Sequence, residues 1–556
     1  MEKRICLDLL KRRSKSLHRQ RIHTRQHRSL SRKNRFGEFG PRSRLLRILQ
    51  LDKLFNFWAV GDGFWSRQPA LFFGCAVFLG AWVAVARESL GMADLFLAGA
   101  VVVAFSPRRL LCLFFIALVS LVTTQFRVQA ARQGVFSGTV VAEVTERRLT
   151  TFHKRPFWHM TLFIHDFSKP SGHCVARGIC LPLTTPPPCP LYGGVVYRFP
   201  ATVSVEEGGR TLLRPTLAQC QDTGKRTVSC VEWRVWLRRH LERLFGDLFP
   251  DESVRHVAGA LTFGLYKDSS LQQAMHRAGV EHVLAISGFH FGIVAALTVY
   301  CMGFLPSRWR AAGAMLLLTV YLFMIGPLPS VIRAWCSAMI ILGSLFLYRA
   351  ASGINCLGVG LIVAVLYDPT FVVHIGFQLS FLATATILFF SQDTRRMLAR
   401  LIPTRSTRGL EPFSVLDQVL FGVLRWLLPV FSLLIPVTLV IIPYQMAFLQ
   451  DFSTVGCLYN LVIPMVFSLA MPPILLAVLA HPFHILAQGF AAVAEPFLRL
   501  GLVLVNNTPE TSWALVSGGS IPEAVGRMII VTVFLYGMYR HGSGALEHNE
   551  AWKACL

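Results

Sequence analysis

The chain has 556 residues, of which 53% are hydrophobic and 15% charged, with a mean hydropathy of +0.50. A soluble protein of this length carries about 25% charged residues, so a purely water-soluble globular enzyme is excluded and the bilayer is the main solvent. Net charge is +25, and residues 1–53 hold 17 Lys+Arg against 4 Asp+Glu, so +13 of it lies in the first tenth of the chain.

Residues 1–60 read as a basic cytoplasmic segment obeying the positive-inside rule and touching anionic lipid. Nucleic-acid contact is the competing reading, but no aromatic residue precedes Phe36. Nothing here has the apolar core and small-residue cleavage site of a secretory signal. Apolar blocks follow at 69–86, 90–105 and 109–124, giving N-terminal transmembrane helices over 69–124. With the basic N-terminus inside, the chain after residue 124 emerges on the outer side.

From 130 to 230 the pattern changes to short alternating runs, Val135–Val144, Phe157–Phe167, Cys174–Leu183 and Val195–Val205, separated by Gly, Pro and charge. Period-two runs at this spacing predict a small all-β domain, barrel or sandwich. Residues 133–228 carry 11 Lys+Arg, 6 Asp+Glu and nine aromatic rings, a composition suited either to pairing phosphates and stacking bases or to packing on the spans. Cys174, Cys180, Cys189, Cys220 and Cys230 fall in this outer region, where at least one disulfide is expected among them.

Residues 231–265 return to helical period. Trp233, Trp236, Leu237, Leu241, Leu244, Phe245 and Leu248 share one stripe, and Arg234, Arg238, Arg239, Glu242 and Arg243 the other. Such a helix rests in the headgroup plane. Further apolar blocks lie at 283–305, 311–326, 331–348, 354–368, 370–390, 419–442, 452–480, 483–505 and 521–539. Alternating them puts Arg308, Arg310, Arg349, the 393–408 loop and Arg540 inside, as the charge rule asks. The fold class is therefore a polytopic α-helical membrane protein of about 12 spans with both termini cytoplasmic. Pro436, Pro443, Pro464, Pro472 and Pro473 are placed to break spans into re-entrant pieces.

Polar groups in lipid are costly, about 2.5–3.5 kcal/mol for a charge at a helix centre, and so mark interior faces. The densest set is Gly279–Gly292, with His282, Ser287, Gly288, His290 and Gly292. If helical, it places Ser287 and His290 on one face and lets a second backbone approach at Gly288 and Gly292. Pro327-Leu328-Pro329-Ser330 stops one span and caps the next, with Arg333 one turn in. Asp368-Pro369 precedes His374 and Gln378, which share a face at i,i+4, and Ser380. Asn460 stands in Tyr459-Asn460-Leu461-Val462-Ile463-Pro464.

Taken together, Ala260–Gly264 with Ala278–Val294, Pro329–Ala334, Asp368-Pro369 with Gly376–Ala383, and Asn460–Pro464 resemble the four ordered signature elements of the ComEC competence family. The resemblance implies a bacterial inner-membrane channel, multi-pass, that admits single-stranded DNA to the cytoplasm during natural transformation. It implies a core over 281–540, an OB-like fold for the outer domain, and as partners a motor, an outer DNA receptor and a separate nuclease. It also implies that the polar residues just named line the DNA path. Many members continue into a metallo-β-lactamase-like domain. Here 541–556 reads as a short cytoplasmic tail, His541 and His548 form no metal cluster, and no cofactor, metal or enzymatic activity is expected. The family's acidic residue after the first element is displaced, with Tyr266-Lys267-Asp268 in its place. Two other classes compete: a small-solute transporter with broken helices, and an intramembrane serine hydrolase using Ser287 with His290 as base.

Overall fold

Pro and Gly punctuate the apolar sequence, and the helices of the computed structural model begin and end largely at those marks. It describes residues 61–85, 106–128, 134–152, 155–169, 174–187, 191–205, 211–227, 229–265, 269–401, 414–449, 451–509, 515–517 and 523–555. The chain divides into Met1–Ala59, which lies outside the described residues, and Val60–Leu556, to which everything below refers. The expected basic segment, the 90–105 span, the Tyr266-Lys267-Asp268 triplet and residues 402–408 of the 393–408 loop also lie outside them.

Helices α1 (Gly61–Arg67) and α2 (Pro69–Val85) meet at 99°, and α3 (Pro107–Arg127) packs along α2. The contact is close because a Cβ at Gly80 would run into the Ala117 carbonyl, while Ser120 donates to Val77 O at 2.7 Å.

The sheet comprises β1 (Gly134–Phe152), β2 (Arg155–Ser168), β3 (Cys174–Ala176), β4 (Ile179–Thr185), β5 (Val195–Val205), β6 (Thr211–Pro215) and β7 (Gln221–Arg226). All its strand pairs are antiparallel, in the order β3-β2-β1-β5-β6, with β4 also on β2 and β7 also on β5. The long strand β1 pairs on both edges, and register shifts at Val141/Ala142 and Val144/Glu146 bend it. Val140, Ala142, Val144, Met160, Leu162, Ile164 and Phe199 alternate inward to fill its core.

No disulfide joins the described cysteines, contrary to expectation. Cys174 pairs with Ser168 and Cys180 with Phe163 on the same strand. Five residues along a strand separate them by about 17 Å, beyond the reach of a bridge. Cys189 lies outside the described residues.

Helix α4 (Val231–Leu248) joins sheet to spans, and its faces differ from the stripes read in the sequence. Trp233 and Trp236 are exposed, the latter 58%, whereas Arg238 is buried. Arg238 donates to Ile325 O at 3.0 Å and lies 3.5 Å from Glu146. Arg234 donates to Thr145 O at 3.1 Å. The β1 strand thus covers part of the basic face, and the indoles are left outward. Arg147 is buried beneath this joint, its guanidinium 3.8 Å from the Trp158 centroid and 4.6 Å from that of Tyr192. Glu232 ties it down, 3.3 Å from Arg147 Nη1, while accepting from Gly193 N at 2.8 Å.

Beyond α4 run α5 (Glu252–Phe263), α6 (Ser269–Arg277), α7 (Glu281–Leu284), α8 (Gly288–Cys301), α9 (Ser307–Ile325), α10 (Pro329–Phe346), α11 (Gly353–Tyr367), α12 (Ile375–Ala399), α13 (Val415–Phe448), α14 (Gly456–Leu479), α15 (His484–Asn506) and α16 (Glu523–Cys555). Short strands β8 (Asp451–Ser453) and β9 (Leu515–Ser517) pair between them.

Among the described residues, seven helices (α3, α9, α10, α12, α13, α14 and α15) are long and apolar enough to cross a membrane, or eight if the bent α1–α2 pair counts as one span. Helices α8 and α11 are apolar but shorter, and α16, expected to span, is outside the set. The prolines do not break spans. α13 runs unbroken through Pro429, Pro436 and Pro443, and α14 through Pro464, Pro472 and Pro473. Seven-residue spacing puts the three α13 prolines on one face of the helix.

Candidate functional site

The first motif is not one helix. Gly264 takes a left-handed conformation (φ 62°) that closes α5, its N–H reaching Ala260 O at 3.1 Å. Gly279 (φ 68°) turns the chain again, and a Cβ there would lie 2.9 Å from Gly456 Cα at the start of α14. Ser453 Oγ fastens that approach by donating to Arg277 O at 2.7 Å. The chain then leaves α7 at an extended Ala285 and re-enters a helix at Gly288, with Ser287 as N-cap.

Ser287 and His290 therefore meet as a cap rather than as one helical face. Ser287 N–H donates to His290 Nδ1 at 3.2 Å, Ser287 Oγ accepts from Phe289 N–H at 3.3 Å, and Oγ and Nδ1 are 3.2 Å apart. His290 is 1% exposed and its Nε2 has no hydrogen-bond partner. Seryl oxygen and imidazole are within reach of each other. A nucleophile–base–orienter chain still lacks its third member, because Nε2 faces no acceptor.

The second motif closes on the first. Pro329 opens α10 with Leu328 as N-cap, so Ser330 is free for another partner, and its Oγ donates to Ile286 O at 3.1 Å across the α7–α8 break. One turn on, the Arg333 Nη2 would lie 3.7 Å from a Cβ on Gly288. Arg333 Nε donates to Ser380 Oγ of α12 at 2.8 Å, and the guanidinium carbon is 5.9 Å from the Phe381 ring centroid. A Cβ at Gly360 of α11 would touch the Arg333 Cγ at 3.5 Å. Four helices thus surround one cation, and no carboxylate pairs with it among the described residues. Gly288 makes room for a side chain here, not for a backbone. Gly292 has nothing within 4 Å of where its Cβ would be, so neither glycine is a helix-packing site. That role falls to Gly74 and Gly358, where α2 and α11 touch backbone to backbone.

The third motif spreads outward. Gln378 Nε2 donates to Val372 O at 2.7 Å, and its Oε1 accepts from the buried Tyr444 hydroxyl of α13. His374 is the N-cap of α12, exposed, with its ring against Phe371, so the expected His374–Gln378 face does not form. Asp368 Oδ1 caps the following turn, accepting from Thr370 N–H at 2.9 Å and from Thr370 Oγ1 at 2.7 Å. Its Oδ2 lies 3.9 Å from Cys180 Sγ of β4, and Arg127 of α3 donates to Leu366 O at 2.8 Å. The sheet therefore docks where α3 and α11 end. Burial, with the Asp368 charge beside it, pushes the Cys180 thiol up to about 12. Asn460, half-buried on α14, keeps an unpartnered Oδ1, and His282 is exposed on α7.

Ser287, Gly288, His290, Arg333 and Ser380 thus form one cluster. Gly279 links it toward Asn460, and Asp368, His374 and Gln378 sit apart. Tyr444 and Gly360 were missed in the sequence. A tyrosine three prolines deep in an apolar run was the available signal for the first, and nothing marked the second.

Residues 264–543, half the chain, match the family model described as Competence protein. The chain belongs to the Competence protein family. It is 34% identical over 160 residues to ComE operon protein 3 of Bacillus subtilis (strain 168), an alignment covering 28% of this chain and 20% of that protein. It is 27% identical over 254 residues to the uncharacterized protein YcaI of Escherichia coli (strain K12), covering 43% of this chain and 31% of that protein. The chain therefore matches at most about a third of the length of these relatives. No solved structure matches. The polar cluster built above falls entirely within the matched residues.

Proposed function

We propose that this protein is the multi-pass inner-membrane channel through which single-stranded DNA passes into the cytoplasm during natural transformation. The observation that carries this reading is Arg333, a cation without a carboxylate partner among the described residues, held by Ser380 and backed by Gly288 and Gly360. An arginine fixed by a serine and an aromatic ring, rather than neutralised, offers a phosphate a planar fork of free donors. The open space beside Gly292 and the polar cap at Ser287–His290 continue the same wall. A strand of phosphates must be passed and not held, which suits one cation in otherwise neutral surroundings.

The sheet is the OB-like outer domain in this reading. Its double-edged, bent first strand and its Arg and aromatic side chains support a weak, sequence-independent grip on single strands. The chain crosses the bilayer about twelve times with both termini cytoplasmic, and a motor, an outer receptor and a separate nuclease complete the machine. His282, Asp368, His374, Gln378 and Asn460 belong to its path or its mouth. Deleting the gene should abolish arrival of labelled DNA in the cytosol while DNA still accumulates outside the inner membrane. Undiminished cytosolic arrival would overturn the reading.

A further inference from the structure

At the other end of α8, α9 and α10 from the Ser287 cap lies a second polar feature that the DNA path does not use. A cavity of about 480 Å³ opens there, bounded on its polar side by Ser307, Arg310, Ser344, Tyr348 and Arg349. Among the described residues no acidic side chain lines it, and none of Arg308, Arg310 and Arg349 forms an ion pair. The Arg310 Nε is buried without a hydrogen-bond partner. Tyr348 holds a left-handed backbone (φ 53°), rare for an aromatic residue. There its ring lies 4.7 Å from the Arg308 guanidinium and its hydroxyl 3.5 Å from Ser307 Oγ. The first turn of α9 begins at Ser307 without a side-chain cap, so its free N–H groups add to the positive character of the same wall.

The remaining wall is apolar: Val299, Ala311, Leu342 and Leu345. Next to it Tyr300, Phe304, Trp309 and Leu345 are exposed, the composition of a surface that meets acyl chains and headgroups. We infer that this cavity seats the phosphodiester headgroup of an anionic phospholipid, with Arg310 and Arg349 on the phosphate and an acyl chain along Leu342 and Leu345. A nucleic-acid backbone would share the phosphate chemistry but not the apolar half of the cavity. Lipid is therefore the occupant that the two walls together fit. A lipid bound here would clamp the ends of α9 and α10, and so steady the far end of the helix that carries Arg333.

The test uses the full chain, placed in nanodiscs of phosphatidylethanolamine and phosphatidylglycerol and then released for native mass spectrometry. Retained phosphatidylglycerol should exceed retained phosphatidylethanolamine, and each of R310Q and R349Q should lower it about fivefold. The exposed R349A and the cavity-facing Ser344→Glu, which adds a repelling carboxylate, serve if R310Q fails to accumulate. Equal retention of the two lipids, or retention unchanged in these variants, overturns the inference. So does loss of phosphatidylglycerol to an added oligothymidylate at low salt, which would assign the cavity to DNA. Because the readout is lipid retention, it stands or falls independently of DNA entry.

Discussion

Replacing Arg333 tests the channel reading most directly. Its Nε–Ser380 Oγ bond, at 2.8 Å, is charge-assisted, and such a bond contributes about 1.5–3 kcal/mol. If Ser380 acts only by aiming the guanidinium, Ser380→Ala should weaken DNA entry by about tenfold, the lower end of that range. Arg333→Ala removes the charge as well, so its loss should be larger, and the double variant should equal Arg333→Ala alone. Arg333→Lys keeps the charge on a point-like head without the planar fork and should restore entry in part. The assay is transformation frequency together with cytosolic arrival of fluorescent DNA, each normalised to the amount of protein in the membrane. Normal entry with Arg333→Ala at normal protein level would falsify the assignment. Disappearance of the protein in both Arg333→Ala and Arg333→Lys would make the cation a helix tie, and Ser380→Ala, which leaves the charge in place, would then decide.

The other expectations concern packing and the docked sheet. Gly358→Val puts branched carbons where a Cβ already falls 2.2 Å from Leu71 N. It should cost about 1–3 kcal/mol or more, visible as a lowered thermal midpoint in detergent, and a midpoint equal to wild type would contradict the contact. Cys230 is exposed whereas Cys180 is held far above the ordinary thiol range. At pH 8 an impermeant maleimide should therefore label Cys230 first and Cys180 slowly, and because burial is the larger cause, Asp368→Asn should speed Cys180 only in part. Equal rates for the two thiols would refute the burial of Cys180, and a Cys180 rate unchanged by Asp368→Asn would refute the Asp368 contact. Burial raises the Glu146 carboxyl, but the Arg148 and Arg238 charges outweigh burial and leave it below its ordinary value of 4.5. Glu146 should therefore stabilise the joint between β1 and α4 above the unfolded value and lose that contribution as pH falls through the folded one. Proteolysis near residue 230 should rise on acidification in wild type and much less in Glu146→Gln; the same acid response in both would remove Glu146 from the account.

Composition and periodicity alone determined a great deal here. Apolar blocks bounded by Pro and Gly became helices at nearly the expected places, because a backbone in lipid must satisfy its own hydrogen bonds. Alternating runs between 134 and 226 became a sheet, because period two leaves one face to bury. The motif residues were legible as costly groups in apolar surroundings. What they touch was not. Ser287 could be placed on a helix or before it, and only the break at Ala285, pinned by Ser330 to Ile286 O, makes it a cap. Nothing in the sequence names Ser380, 47 residues away, as the acceptor of the Arg333 Nε–H. Gly288 and Gly292 followed a packing pattern, yet the backbones that meet are those of Gly74 and Gly358, 284 residues apart. The basic face of α4 lost part of its exposure to β1 for the same reason. Hydrophobic pattern acts within one element, whereas the partner of a buried polar group comes from wherever the tertiary packing brings a donor or acceptor within about 3 Å.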